Sequence, residues 1–97
     1  MIIIEKNAGP KIDYEVTGKK IIFDDDLMLN LGKRQEDEPV HIDICYNAAR
    51  QLITGTQDAK AYVAEIDIPP VEYTEGEEPE PIPLDMDKVV LTLWAIE

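Results

Sequence analysis

His41, Asp43 and Cys45 stand at every second position of one short segment, and their types invite chemistry more than any others in the chain. The single histidine near the single cysteine suggests a thiol nucleophile with its base. On an extended strand, however, four residues span about 13 Å, whereas a nucleophile and its base need contact at about 3 Å. The alternation around these residues predicts a strand, so no dyad is expected within one chain. The expectation is an outer-face histidine and a small, semi-buried thiol.

The same three residues can be read as metal ligands. Neighbours on one strand face are about 6.6 Å apart, so two reach one ion but three do not. There is no second Cys or His to complete a zinc site. Asp24-Asp25-Asp26 and Asp85-x-Asp87 lack the central Gly and the twelfth-position Glu of a calcium loop. No metal and no cofactor is therefore expected. The chain contains no serine, which excludes acyl transfer through that residue. Carboxylates abound, but no pair stands out, and a catalytic pair needs a cleft that raises one member's pKa. The expectation is that the protein is not an enzyme.

Binding offers more candidates. Val89, Leu91, Leu93 and Ala95 alternate with Val90, Thr92, Trp94 and Ile96, so a C-terminal strand over 88–96 is apolar on both faces. A half-solvated strand is not. The chain's one tryptophan is read first as core between two sheets. The second reading places Val90, Trp94 and Ile96 against a partner. Glu75, Glu77, Glu78 and Glu80 lie in the Pro- and Glu-rich stretch 74–87, expected to be a mobile acidic loop with polyproline character. These four are also candidates for contact with a basic partner.

Period-two patterns dominate the elements that must position these residues. Val40, Ile42, Ile44 and Tyr46 share one face of a strand, with His41, Asp43 and Cys45 on the other. Tyr62, Ala64, Ile66 and Ile68 oppose Val63, Glu65 and Asp67 in a second. Residues 11–16 and 19–23 form a hairpin about Thr17-Gly18, ended by the three aspartates. Leu27 to Leu31 reads as a short strand stopped by Gly32. Residues 47–53 read as a turn and short strand, with a seven-residue helix as the alternative. The prediction is one all-β domain over 1–97. It is a small antiparallel sandwich or barrel of six to eight short strands, with at most one short helix near 47–53.

Composition narrows the function. Ninety-seven residues make one domain. The 21 acids and 9 bases give a net charge of −12. That opposes direct nucleic-acid binding, and no apolar run is long enough for a membrane span. The charge is uneven: residues 1–34 are neutral, and the excess of acids lies after them. The N-terminus has no signal-peptide pattern, and a lone cysteine suits the cytoplasm. The leading expectation is a structural or protein–protein interaction module, a phage or prophage particle component that associates with itself head to tail. The alternative is an acidic nucleic-acid mimic that occupies a basic groove on a nuclease or DNA-binding protein.

Overall fold

The computed structural model describes residues 1–96. The chain's regular structure is almost wholly strand: β1 (Ile2–Glu5), β2 (Tyr14–Thr17), β3 (Lys20–Phe23), β4 (Leu27–Asn30), β5 (Val40–Tyr46), β6 (Leu52–Thr54), β7 (Ala61–Ile68), β8 (Glu72–Tyr73), β9 (Pro81–Ile82) and β10 (Val90–Leu93). One helical turn, α1 (Leu31–Arg34), follows β4, and a 3-10 turn spans Met86–Lys88. Eight strands have three or more residues, and β8 and β9 form a two-residue ladder of their own. The all-β architecture follows from the period-two patterns and the wealth of Ile and Val, whose branched side chains fit a pleated surface.

The main sheet has the order β1-β10-β7-β5-β6, and the second has the order β2-β3-β4. Both orders are open, so neither sheet closes into a barrel. Among the described residues, all pairings are antiparallel except β1 with β10, which run parallel and set the first strand beside the last. Ile42, Ile66 and Leu91 face one another across the main sheet. They share one continuous core with Ile21, Phe23 and Leu29 of the second sheet. Burial of these side chains at roughly 2 kcal/mol each drives the two sheets together.

Local chemistry sets the turns. Gly18 takes φ +59° in the β2–β3 hairpin, a left-handed position that glycine adopts without steric cost. Asp24 and Asp25 adopt φ of +52° and +51°, and the Asp26 amide donates to the Phe23 carbonyl at 2.9 Å. The three aspartates thus form the β3–β4 turn, using the tolerance of Asp for this region.

Three local expectations need correction, while residues 47–53 form the turn and short strand read from the sequence and not the alternative helix. The Asn47 side-chain oxygen accepts from the Ala49 and Gln51 amides, both at 2.9 Å, and Arg50 turns left-handed at φ +58°. These bonds and the left-handed Arg50 close a tight turn, and β6 follows. Leu31 does not extend β4: Asn30 caps α1 by accepting from the Lys33 amide, and Gly32 lies inside that turn. The C-terminal strand covers only Val90–Leu93. Finally, Tyr62 does not share the face of Ala64 and Ile66. The β5–β7 register shifts so that Ile44 pairs with Ala64 and Cys45 with Tyr62, and the extra residue, Val63, moves Tyr62 to the opposite face.

The acidic segment contains defined contacts. Thr74 and Glu80 close the β8–β9 hairpin, with the Thr74 amide on the Glu80 carbonyl and the Glu80 amide on Thr74 Oγ1, both at 2.9 Å. Leu84 is buried in the common core. Asp85 caps the 3-10 turn by accepting from the Asp87 amide.

Candidate functional site

The outer face of the main sheet carries the polar members of β5 and β7. Pairing places His41 opposite Asp67 and Asp43 opposite Glu65, because the inward phase is taken by Ile42, Ile44, Ala64 and Ile66. One histidine is thus ringed by three carboxylates. His41 Nδ1 lies 2.6 Å from Asp67 Oδ1, and Nε2 lies 2.9 Å from Asp43 Oδ1 and 3.4 Å from Glu65 Oε1. A carboxylate at each ring nitrogen favours the imidazolium form, in which both nitrogens donate. The Asp67 hydrogen bond raises the His41 pKa above its ordinary value, partial burial opposes it, and Asp43 adds to the rise.

The surroundings are less exposed on one side. The Asp43 and Glu65 side chains are 20% and 22% exposed, against 53% for Asp67. Trp94 covers that side. Its indole Nε1 donates to Glu65 Oε2 at 2.8 Å, and its ring stacks on Tyr62 with centroids 4.9 Å apart. Lys6 Nζ sits 5.5 Å from the centre of the indole ring. Cys45 is buried, and burial followed by the charges of Asp43 and Glu65 pushes its thiol pKa up. A thiol so placed is protonated at neutral pH and a poor nucleophile.

The predicted binding residues are scattered. Val90 is half-buried on β10, beside Asp67. Trp94 is half-buried on the outer face, so the reading that placed it in the core between sheets is corrected: indole N–H and carboxylate meet here at the rim of the polar cluster. Ile96 leaves that face, packing against the core while its amide donates to the Pro10 carbonyl at 2.9 Å. Glu75, Glu77, Glu78 and Glu80 are exposed on the β8–β9 hairpin, outside the main sheet.

Glu65 and Asp67 were not singled out by the sequence pattern. Their alternation with Ala64, Ile66 and Ile68 places them on an outer face, but only the β5–β7 register reveals that this is the face of His41. His41, Asp43 and Glu65 each offer a ligand atom, and these atoms all lie within 4.8 Å of one another.

A second feature lies at the edge of the sheet. Ile2, Ile3 and Ile4 of β1 are 51%, 42% and 46% exposed. The Ile2 and Lys6 amides donate to the Val89 and Leu93 carbonyls of the neighbouring segment. The alternation of a strand therefore turns the Ile3 and Glu5 amides toward the open side. Among the described residues, no helix is long and apolar enough to cross a membrane. Comparisons with protein families, with curated proteins and with solved structures find no match to this chain.

Proposed function

We propose that this protein is a non-enzymatic interaction module whose copies join head to tail along the main sheet. The observation that carries this reading is the β1 edge, where three consecutive isoleucines are exposed on a strand with one unpaired side. Soluble proteins usually blunt such an edge with charge, proline or a bulge, because it templates pairing with another chain.

A second copy suits the edge on two grounds. The opposite end of the same sheet, β6, is also open, so β6 of one copy can extend the sheet from β1 of the next. Charge favours this pairing over a meeting of like ends. Residues 1–34 carry no net charge, and β6 is flanked by Arg50 and Lys60, two of the few bases in the acidic remainder. Glu5 at the end of β1 complements them. Repeated contacts of this kind fit a component of an assembled particle, such as one of phage or prophage type. In such an assembly the acidic hairpin would project as a solubilising arm.

Light scattering at micromolar concentrations, in low and high salt, tests the reading. The expected mass exceeds that of one chain and rises with concentration. Ile3→Pro, which removes an outward-facing amide and one exposed isoleucine side chain, should return the protein to a monomer. A strict monomer for the unaltered chain in both salts overturns the proposal.

A further inference from the structure

We propose that His41, Asp43 and Glu65 bind one divalent transition-metal ion of the zinc kind on the outer face of the main sheet. The spacing of the donor atoms is the first argument. Metal–ligand bonds of about 2.0–2.1 Å in tetrahedral geometry place neighbouring ligand atoms roughly 3.3 Å apart. His41 Nε2 lies 2.9 Å from Asp43 Oδ1 and 3.4 Å from Glu65 Oε1, and the three residues each offer a ligand atom within 4.8 Å of the others. Small side-chain rotations bring the set to bonding distance.

The groups outside the ligand set are the second argument. Asp67 holds His41 Nδ1 at 2.6 Å, which fixes the tautomer that presents Nε2 to an ion. This is the carboxylate–histidine relay that orients ligating imidazoles. Trp94 holds Oε2 of Glu65 at 2.8 Å and leaves Oε1 for the ion. Each of these two ligands is thus aimed by a residue that would not itself touch the metal.

Electrostatics is the third. Asp43 and Glu65 are direct cross-strand partners, an arrangement that is unfavourable for like charges. With Asp67 they outnumber the one charge that His41 supplies. A divalent ion reverses the sign of that interaction and displaces the Nε2 proton to solvent. The imidazole nitrogen selects for transition ions over calcium and magnesium, which prefer all-oxygen shells. Water completes the coordination on the open face.

Titration calorimetry of the full chain with zinc chloride, at pH 7.5 and in excess magnesium, tests the site. Trp94 fluorescence and the His41 imidazole resonances are recorded alongside, and the fold of each variant is checked by circular dichroism in EDTA. The expected result is one zinc per chain, unaffected by magnesium, with changes in both signals. His41→Gln should abolish binding, Glu65→Gln should weaken it at least tenfold, and Asp67→Asn should weaken it about tenfold. Zinc binding that survives His41→Gln in full would show only the diffuse attraction of an acidic surface and overturns the proposal. So does a lack of binding at millimolar zinc, which would leave His41 as a simple imidazolium among carboxylates.

Discussion

Trp94 donates its indole N–H to Oε2 of Glu65 at 2.8 Å, joining the end of β10 to the middle of β7. The ring simultaneously stacks on Tyr62, which reaches this face only because of the β5–β7 irregularity. One aromatic side chain therefore fixes a carboxylate of the polar cluster and covers one side of it.

Trp94→Phe retains an aromatic surface for Tyr62 and deletes the donor. A hydrogen bond to a charged acceptor contributes about 1.5–3 kcal/mol. Urea denaturation followed by circular dichroism should show a loss of that size. Glu65→Gln, which keeps an acceptor in place, should lose less.

Gly9 takes φ +129°, and a Cβ built there would lie 2.9 Å from Cβ of Ala95. Both the backbone conformation and the contact oppose a side chain. The neighbouring Asn7 oxygen accepts from the Ala95 amide at 2.7 Å, so strain at Gly9 would reach the β1–β10 junction. Gly9→Ala should destabilise the fold by about 1–3 kcal/mol, measured by denaturant unfolding. An unchanged midpoint would show that the N-terminal segment does not pack against residue 95.

Tyr73 donates its hydroxyl to Asp37 Oδ1, linking β8 to the loop before β5. That hydrogen bond, followed by burial and the Asp37 charge, raises the Tyr73 pKa above 10. A raised folded-state value means that the stabilisation is complete below the ordinary tyrosine pKa of about 10 and is lost as pH rises through the folded value. Absorbance titration of the phenols should therefore show a late-ionising tyrosine that Asp37→Asn returns toward 10. Identical titrations of the two proteins would place Tyr73 away from Asp37.

Much of this architecture was legible in the alternation of residues. Ile42 and Ile44 are buried, and His41 and Asp43 face out, as period two requires. The Gly18 hairpin and the aspartate turn were equally readable, because backbone sterics act within a few residues. What escaped depends on register or on a single inserted residue. The spacing along β5 keeps His41, Asp43 and Cys45 too far apart to share one ion as a set of three. It was silent on Glu65, which arrives from β7, 22 positions beyond Asp43. The phase of Tyr62 was missed because one extra residue flips every side chain that precedes it. A segment apolar on both faces points Trp94 toward the core, yet the outer face of β10 borders the carboxylate cluster.

Hydrogen exchange at single amides, recorded across a range of protein concentrations, tests the interaction role of the β1 edge most directly. Head-to-tail pairing predicts that the Ile3 and Glu5 amides gain protection as concentration rises, while Ile2, already bonded to Val89, changes little. Exchange at Ile3 and Glu5 that is fast and independent of concentration would contradict the account.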